Sequence, residues 1–478
     1  MGTPRGDVLR DRRGDARRVW WDAYRTHRRG REAIRTGQRE RLADLVAFAR
    51  EHSAYYRELY RGLPERVEDV TVLPVTDKPT LMAHFDQVLT DPAVTRAAVE
   101  EFVADPARIG ERFAGKYLVA TTAGTTGTRG LFVLDDRYWA VTSGLIARLA
   151  TGWLSVRQLV RLLSSTANVA MVVATGGHFL SVAASTREMR EKPRRHRQLR
   201  ILSVHRPLPG LVAELNAIRP VVLGAYGSAL RLLASEQEAG RLRVSPLLVL
   251  STAEGLPPDE RVRLERAFAA PVREVYGCTE SGYAASGCAE GWLHLLEDWV
   301  ILEPVDADRR PVPPGVVSHT VLLTNLANRI LPILRYDVGD RVLMKPVPCV
   351  CGNPAPALRV EGRSSDVLVF PMADGQGTVA VPPLALATVL DGTPGVELFQ
   401  IVQTAPAHLS VRLRPELGAD AEQVRAAVQQ GITDLLTGLG LGHVAVEPSS
   451  ETPQQTAGGK YRTIIPLAPT SRPTPPSS

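Results

Sequence analysis

The opening part of the chain alternates apolar and polar residues with the period of an α-helix. Between residues 15 and 60, aromatic and aliphatic side chains recur so that one face of each helix can contact a core. A proline-punctuated connector follows at Val70–Pro79, and a further helical stretch at Leu81–Val99. The pattern therefore predicts a set of packed helices at the start of the fold.

After residue 115 the pattern changes to short apolar runs separated by helical stretches. The predicted strands are Tyr117–Ala120, Leu131–Leu134, Val169–Ala174, Val221–Gly224, Leu247–Ser251 and Val272–Val275. The helical stretches between the later strands are Leu211–Ile218, Ala229–Glu238 and Asp259–Ala269. Because strands and helices alternate in this way, we predict an α/β fold in which a mostly parallel sheet is flanked by helices.

A second change follows the turn Glu361–Asp366, where a new strand begins at Val367. Between Pro382 and Leu467 the pattern predicts a small α+β unit with a helix at Ala419–Leu436. Its predicted strands are Val396–Gln403, Leu409–Leu413 and His443–Glu447. We therefore predict a large N-terminal domain over residues 1–362, a small C-terminal domain over 363–469 and a disordered Pro/Ser/Thr tail over 470–478.

Composition narrows the classes of function. The 478 residues, 44% of them hydrophobic, suffice for two or three domains of roughly 100–200 residues each. The net charge is only +6, and the arginines of residues 1–41 fit a solvated helix face better than a nucleic-acid patch. Gly176-Gly177 interrupts the apolar stretch Ala167–Ser185, and no signal peptide opens the chain. We predict a cytoplasmic monomer or homodimer with no nucleic-acid or membrane partner.

Candidate chemistry begins with Thr121–Gly130 (TTAGTTGTRG), which lies between two predicted strands. Its glycines permit positive φ angles and close approach of main-chain amides, and its threonines add hydroxyl donors. The stretch lacks the lysine of the G-x-x-x-x-G-K-[ST] pattern, which disfavours an ordinary P-loop NTPase. Two interpretations remain open from this stretch alone, a phosphate-binding loop and a polar hairpin turn.

Polar residues also follow two of the predicted parallel strands. Ser251–Gly255 comes after one strand and Tyr276–Glu280 after another. The carboxyl ends of parallel strands are where such a sheet binds its ligands. A threonine hydroxyl beside a glutamate, as at Thr279 and Glu280, can contact a phosphate and hold a hard cation.

Five motifs along the chain extend this picture. They are TTAGTTG at 121–127, YGCTE at 276–280, RYDVGD at 335–340, EGRSSD at 361–366 and GGKYR at 458–462. Together they resemble the adenylate-forming acyl-CoA ligase superfamily, and more narrowly its phenylacetate-CoA ligase branch. The resemblance extends to Leu42–Leu59 and so covers nearly the whole chain. It implies a large adenylating domain and a small mobile domain that rotates about a hinge at Asp366.

The resemblance also implies roles for individual residues. Glu280 would bind Mg²⁺, and Thr279 would contact the α-phosphate of ATP. Asp340 would bind the ribose, Arg363 would reach the nucleotide, and Lys460 would bridge the acid and the α-phosphate. The β- and γ-phosphates would lie on Thr121, Thr122, Gly124, Thr125, Thr126 and Gly127. The remaining nucleotide contacts would come from Ala253, Glu254, Gly255, Tyr276 and Gly277.

The implied activity is ATP-dependent conversion of a carboxylic acid to an acyl-adenylate, with release of pyrophosphate, followed by acyl transfer to coenzyme A. Attack of a carboxylate on the α-phosphate needs neutralised charge and alignment more than a general base. Transfer to an amine or a carrier protein stays open as an alternative, as does a non-catalytic nucleotide-binding protein. The presence of Glu280, Asp340 and Lys460 together favours the enzyme.

Small and aromatic residues near the predicted strand ends suggest a pocket for the acid. They are Gly176, Gly177, His178, Tyr226 and Tyr283. Aromatic faces with a few polar tips suit an aryl or arylacetic acid better than a long acyl chain. His178 has a second interpretation, as a turn residue beside the double glycine.

The cysteines supply a second candidate site. Cys349-x-Cys351 is too closely spaced for a good disulfide, and Cys288 and His294 form a Cys-x5-His arrangement. Three thiolates and one imidazole suit a structural zinc ion, and some members of the phenylacetate-CoA ligase branch look similar here. The alternative is a set of free, partly buried cysteines. Cys278 belongs to the nucleotide motif and is expected to be a spectator.

Overall fold

The computed structural model describes residues 12–122, 130–163, 168–192, 198–381, 383–391, 393–456 and 461–467. These residues divide into two compact units. The large unit comprises the described residues up to Val338 together with Val342–Val360. The small unit comprises Gly339–Arg341, Glu361–Thr456 and the described residues from Tyr461. The domain limits inferred from the sequence stay a prediction, and the tail at 470–478 lies outside the described residues.

The large unit begins with helices, as the periodicity predicts. Their bounds are Arg12–Arg25, Arg31–His52, Ala54–Leu59, Lys78–Ala83, Phe85–Val88 and Arg96–Ala104. The helix predicted over Leu81–Val99 is interrupted, because the chain leaves the helix after Val88 to pair with a distant segment. There the Thr90 N–H donates to the carbonyl oxygen of Ile330 at 3.1 Å, and the Thr90 hydroxyl donates to that of Arg329 at 2.9 Å. Tertiary hydrogen bonds thus override the local helical pattern.

Strands are numbered in chain order through both units. The first twelve are β1 Leu118–Thr121, β2 Leu131–Leu134, β3 Val169–Val173, β4 Leu199–Ser203, β5 Val222–Tyr226, β6 Leu248–Thr252, β7 Val272–Cys278, β8 Gly282–Gly287, β9 Leu293–Leu295, β10 Val300–Val305, β11 Thr320–Asn325 and β12 Ile333–Asp337. They are followed by β13 Asp340–Met344 and β14 Ala357–Arg363. β1 and β2 form an antiparallel hairpin, and β10, β11 and β12 form a separate antiparallel sheet.

The main sheet has nine strands in the order β13-β14-β9-β8-β7-β6-β5-β3-β4. Strands β4, β3, β5, β6 and β7 are parallel to one another, whereas β8 and β9 continue the sheet in antiparallel fashion. The predicted α/β class is confirmed. The antiparallel extension was not predicted, because Gly282–Gly287 (GYAASG) is short and lacks the β-branched residues typical of strands.

Helices accompany the strands of the large unit. Their bounds are Asp136–Trp153, Val156–Leu163, Leu180–Glu191, Leu208–Ile218, Gly227–Glu238 and Pro258–Phe268. Asp135 caps the first of these, because its carboxylate accepts a hydrogen bond from the Tyr138 N–H at 2.7 Å. Farther along that helix, Arg148 donates two hydrogen bonds to Asp298, at 2.7 and 2.9 Å. The cap stabilises the start of this helix, and the bidentate pair joins the helix to the segment between β9 and β10.

The small unit has the α+β composition that the sequence predicts. Its strands are β15 Leu368–Pro371, β16 Thr378–Val381, β17 Val396–Ala405, β18 His408–Pro415, β19 Ala445–Pro448 and β20 Ile464–Ile465, and its helices are Pro383–Asp391 and Ala421–Gly438. Four of the strands form a sheet in the order β19-β18-β17-β20. Ile401 of that sheet packs in one core with Leu386 and Ile432 of the two helices. No helix among the described residues combines the length and apolarity that crossing a membrane requires.

Candidate functional site

The Thr/Gly stretch connects β1 to β2, in which Thr121 is paired with Leu131. At its base the Thr122 N–H donates to the carbonyl oxygen of Gly130 at 3.1 Å, and the Gly130 N–H donates to the Thr122 hydroxyl at 2.8 Å. A Cβ at Gly130 would lie 2.6 Å from the Phe132 ring, so only glycine fits there. Gly124, Thr125, Thr126 and Gly127 lie outside the described residues. The predicted position between two strands is confirmed, and phosphate binding stays a prediction.

Glu280 lies in the tight turn between β7 and β8 and is only 6% exposed. The Tyr336 hydroxyl, from β12, donates to Glu280 Oε1 at 3.1 Å, and the Asn325 amide donates to the Glu280 carbonyl oxygen at 3.0 Å. Burial, and then the charge of Glu280, raise the pKa of Tyr336 well above its ordinary value. The phenol therefore keeps its proton and can donate a hydrogen bond to the carboxylate. The YGCTE and RYDVGD motifs meet at this hydrogen bond.

Two glycines allow the turn that carries Thr279 and Glu280. A Cβ at Gly277 would lie 1.9 Å from the carbonyl oxygen of Gly282, and a Cβ at Gly282 would lie 2.2 Å from the Tyr138 hydroxyl oxygen. Gly282 also has a φ of +68°, which side-chain-bearing residues rarely adopt. Thr279 is half-buried beside Glu280 in this turn. The close approach of the two strands thus fixes both residues at the end of β7.

Carboxylates hold both ends of the predicted adenine segment that follows β6. The Ser228 N–H, at the start of helix Gly227–Glu238, donates to Glu254 Oε2 at 2.7 Å. A negative charge at a helix N-terminus is favourable. On the other side, the Leu256 N–H donates to Glu274 Oε1 at 3.2 Å, and burial raises the pKa of Glu274 to about 7. The loop that begins after Thr252 is therefore tied to two neighbouring elements.

The residues predicted for the acid pocket follow β3 and β5. His178 is only 1% exposed, its Nε2 lies 3.3 Å from the carbonyl oxygen of Asp105, and its ring centroid lies 5.4 Å from that of Phe102. The Ala174 N–H donates to the Tyr226 hydroxyl oxygen at 3.1 Å. Both side chains are therefore engaged within the protein. These contacts favour the interpretation of His178 as a turn residue, while acid binding at this site stays a prediction.

The other predicted pocket and nucleotide residues lie at the same strand ends. Gly176 has a φ of +87° in the turn after β3, followed directly by Gly177. Tyr283 pairs with Gly277 across β7 and β8, and Tyr276 is buried on β7. Because β3, β5, β6 and β7 are parallel neighbours, their carboxyl ends share one edge of the sheet. The fold therefore brings the predicted strand tips of the large unit to one side.

In the small unit, two of the predicted nucleotide residues form an ion pair. Arg363 Nε lies 3.3 Å from Asp340 Oδ1. Lys460 lies outside the described residues. Two positions after it, Arg462 Nε donates to Asp366 Oδ1 at 3.0 Å. The EGRSSD motif thus contacts RYDVGD through one arginine and GGKYR through an aspartate.

The second candidate site is a cluster of four side chains in the large unit. Cys288, His294, Cys349 and Cys351 each bring one ligand atom, and these atoms lie within 4.8 Å of one another. The Sγ atoms of Cys288 and Cys349 are 3.9 Å apart, and Cys351 Sγ lies 3.2 Å from His294 Nε2. In tetrahedral zinc sites with bonds of about 2.0–2.3 Å, ligand atoms are roughly 3.3–3.8 Å apart. The two measured separations lie close to this range, so the four donors could bind a zinc ion after a small contraction of the cluster.

Hydrogen bonds around the cluster orient these donors. His294 lies on β9, and its Nδ1 is 2.9 Å from the carbonyl oxygen of Ala355. That acceptor keeps the proton on Nδ1 and leaves Nε2 available to a metal, as is usual for metal-bound histidines. The Asn353 N–H donates to Cys351 Sγ at 3.5 Å. The four cysteines of the chain are free of disulfides.

Sequence reasoning missed three residues that shape these sites. Tyr336 lies inside the RYDVGD motif, so the motif drew attention to it without revealing that its hydroxyl contacts Glu280. Asn325 ends β11 as a single polar residue with no motif around it. Glu274 lies two residues before Tyr276, on the strand that leads into YGCTE. The roles of the last two depend on which strands are neighbours, which only the fold reveals.

The chain is similar to known acyl-CoA ligases. It is 25% identical over 401 residues to the phenylacetate-coenzyme A ligase of Thermus thermophilus, which covers 78% of each chain. No family model matches the chain. Its structure is similar to that of 2-hydroxyisobutyryl-CoA ligase in the postadenylation state in complex with R3-HIB-AMP, with a TM-score of 0.64, 19% identity, and coverage of 91% of this chain and 89% of that one. An open conformation of the same ligase, in complex with 2-HIB-AMP and CoA, gives a TM-score of 0.55 at 19% identity and covers 85% and 90%. These structural likenesses establish a shared fold.

Proposed function

We propose that the chain is a member of the adenylate-forming superfamily, that it activates a carboxylic acid with ATP, and that it then transfers the acyl group to coenzyme A. The similarity in sequence to a phenylacetate-coenzyme A ligase and the fold shared with 2-hydroxyisobutyryl-CoA ligase support this proposal. In the first step a carboxylate oxygen bonds to the α-phosphorus, and the bond from that phosphorus to the bridging oxygen of pyrophosphate breaks. In the second step the thiol of coenzyme A attacks the acyl carbon, AMP leaves, and the thiol proton is released.

The observation that carries this proposal is the buried carboxylate of Glu280 in the turn after β7. This carboxylate is 6% exposed and accepts a hydrogen bond from the Tyr336 hydroxyl. Burying a carboxylate is costly in free energy unless a positive charge compensates it, here during the reaction. Mg²⁺ bound there would supply charge neutralisation for the phosphates. Thr279, on the preceding position of the same turn, has the hydroxyl that the α-phosphate would need.

The remaining nucleotide roles follow the resemblance residue by residue. The hairpin closed by Thr122 and Gly130 would hold the β- and γ-phosphates. Asp340 would accept hydrogen bonds from the ribose hydroxyls. The Nε atom of Arg363 lies 3.3 Å from Asp340 Oδ1. Lys460 would contribute its charge to the transition state of adenylate formation, where negative charge has to be stabilised as the carboxylate approaches the α-phosphate.

We assign the acid to the aryl or arylacetic class. Tyr226 and Tyr283 supply aromatic faces near the predicted pocket, and Gly176 and Gly177 leave space beside them. The named activity of the Thermus thermophilus relative, ligation of phenylacetate to coenzyme A, supports the same class. His178 is engaged with Asp105, so it enters this proposal only as a wall of the pocket and not as a free proton carrier.

Structural zinc is a separate element of the proposal. Cys288, His294, Cys349 and Cys351 would hold one ion with all four positions filled by protein, which leaves none for a substrate. The ion would join the turn after β8 to the loop between β13 and β14. Its contribution would therefore be to stability, with no part in the reaction.

The experiment that tests the function is a pyrophosphate-release assay over benzoate, phenylacetate, cinnamate and octanoate series, followed by mass spectrometry of the products with coenzyme A. We expect release with substituted aromatic acids far above that with octanoate, and a coenzyme A thioester as the final product. A preference for octanoate would overturn the acid class. An amide formed with added amines, without any thioester, would replace coenzyme A as the acceptor.

A further inference from the structure

Gln400 is a polar side chain buried in the sheet of the small unit. It lies on β17 and is only 1% exposed. Its Nε2 donates to the carbonyl oxygens of Gln454 at 3.2 Å and Arg462 at 3.0 Å. Its Oε1 accepts from Arg412 Nη1 at 2.8 Å and from the Gln454 N–H at 3.4 Å. Both donors and both acceptor positions of the amide are therefore used, which is the arrangement that a buried amide requires.

These bonds join the chain just before GGKYR to the end of that motif. Gln454 lies before the motif, and Arg462 is its last residue. Just inside these positions, Gln455 and Tyr461 form an antiparallel bridge. The two stretches therefore run side by side as a stem, and one buried amide holds both strands of that stem.

Further contacts fix the amide and the stem. Arg412 lies on β18 directly opposite Gln400. Its side chain also forms an ion pair with Glu451, in which Nη2 lies 2.5 Å from Oε2. This ion pair orients the guanidinium that holds Gln400 Oε1. On the stem, the Arg462 side chain donates to the carboxylate of Asp366. The stem is thus tied to the sheet by its main chain and to the predicted hinge by a side chain.

We propose that Gln400 is a positioning residue for Lys460, which the sequence places between the two strands of this stem. The proposal rests on the proposed function, in which the Lys460 charge is needed at the transition state of adenylate formation. A displacement of about 1 Å in a group that aligns reactants can lower a rate about 100-fold. An amide that bonds to both strands of the stem controls that displacement without touching the substrate.

A matched control distinguishes positioning from simple packing. Gln403 lies on the same strand, is 4% exposed and donates to the carbonyl oxygens of Val369 and Pro406. It also accepts from the Leu467 N–H at 3.3 Å. It is therefore a second buried glutamine with a similar set of main-chain bonds, and none of them is to the stem.

The test compares Gln400→Met with Gln403→Met in the full chain. We expect Gln400→Met to lower kcat for pyrophosphate release about 100-fold, with little change in KM for ATP and less than about threefold change in thioester formation from a pre-made acyl-adenylate. Gln403→Met is expected to lower the melting temperature by about as much as Gln400→Met does. It should leave the adenylation rate within about threefold of the wild-type rate. Equal losses in both half-reactions, or an equal adenylation loss in Gln403→Met, would overturn the proposal.

A double mutant tests whether Gln400 acts through the lysine. In a Lys460→Ala background, Gln400→Met should cause no further loss of adenylation, because both changes remove the same contribution. A full additional 100-fold loss would show that Gln400 acts independently of Lys460.

Hydrogen–deuterium exchange separates this proposal from the proposed function. In the free protein, Gln400→Met should speed exchange in the peptide that contains the Gln454 amide, and Gln403→Met in the peptide that contains the Leu467 amide. If the wild-type protein releases pyrophosphate with none of the acids but this exchange pattern appears, the function fails and the stem contact stands. Unchanged exchange at Gln454 would refute the contact itself.

Discussion

The two ends of β8 carry the two candidate sites, and they are held in different ways. The strand has six residues, so its ends are roughly 20 Å apart. We call the turn of Thr279 and Glu280 the nucleotide end, and the cluster of Cys288, His294, Cys349 and Cys351 the metal end. At the nucleotide end, Tyr336 and Asn325 donate hydrogen bonds to Glu280, and glycines allow the chain to turn.

The metal end places four potential metal-binding atoms next to one another. Two of its thiols lie 3.9 Å apart with their sulfurs facing each other, and the third faces an imidazole nitrogen at 3.2 Å. Such contacts between donor atoms contribute little to stability by themselves, whereas a shared metal ion would bind all four side chains. At the nucleotide end, hydrogen bonds from other parts of the chain hold the carboxylate in place, whereas at the metal end the donor atoms mainly face one another, as they would around a metal ion.

The largest expected effect is at the metal end. Protein purified without a tag should contain about one equivalent of zinc, and Cys351→Ser should lose it, with a melting temperature lower by about 5–10 °C. The matched control is Cys278→Ser at the nucleotide end, where the thiol lies 3.3 Å from the Ser281 hydroxyl and outside the cluster. Metal analysis and thermal unfolding give the result. Wild-type protein that is folded without metal, or a Cys351→Ser protein of unchanged stability, would contradict this account.

A smaller effect is expected at the nucleotide end. Tyr336→Phe removes the hydroxyl that donates to Glu280 Oε1 at 3.1 Å, and a hydrogen bond to a charged group contributes about 1.5–3 kcal/mol. We expect kcat for pyrophosphate release to fall about tenfold and the half-saturating concentration of Mg²⁺ to rise, with zinc content unchanged.

The matched control for that variant is Tyr56→Phe. The Tyr56 hydroxyl is equally buried but donates to the carbonyl oxygen of Pro332 at 2.7 Å. It should lower stability without altering the response to Mg²⁺. An identical Mg²⁺ dependence in both variants would show that Tyr336 is only a packing residue.

A separate effect concerns the pH dependence of stability near the nucleotide end, where it is spread over more than two pH units. Burial raises the pKa of Glu274 from 4.5 to about 7, so the folded protein binds more protons than the unfolded chain between these values. The free energy of unfolding should therefore fall by up to about 3 kcal/mol as pH rises from 4.5 to 7. Glu274→Gln should remove this part of the pH dependence. Denaturant unfolding at several pH values tests it, and an unchanged slope in the variant would refute it.

The fold was largely predictable because local patterns and tertiary structure agree over most of the chain. The strands that lie parallel in the main sheet are apolar runs bounded by helices, and most of them were predicted to within a few residues. β4 (Leu199–Ser203) was missed, because Arg200 interrupts its apolar run. The break in the helix after Val88 was also missed, because Thr90 pairs with residues far along the chain.

The candidate sites were predictable as residue types and not as contacts. The spacing of Cys288, His294, Cys349 and Cys351 suggested one metal site, and the structure brings their ligand atoms together. The hydrogen bond from Tyr336 to Glu280 depends on how β12 meets the turn after β7, which no local pattern encodes. The engagement of His178 with Asp105 likewise follows from the packing of a distant helix.

The fate of the carboxyl oxygen atoms of the acid distinguishes activation through an acyl-adenylate from other routes. The purified protein would be supplied with ATP, Mg²⁺, coenzyme A and an aromatic acid labelled with ¹⁸O in its carboxyl group, and the nucleotide product would be analysed by mass spectrometry. Because a carboxylate oxygen bonds to the α-phosphorus and stays there when the thiol displaces AMP, we predict AMP that carries one ¹⁸O atom per molecule. Formation of ADP with the label in inorganic phosphate, or of unlabelled AMP, would contradict activation through an acyl-adenylate.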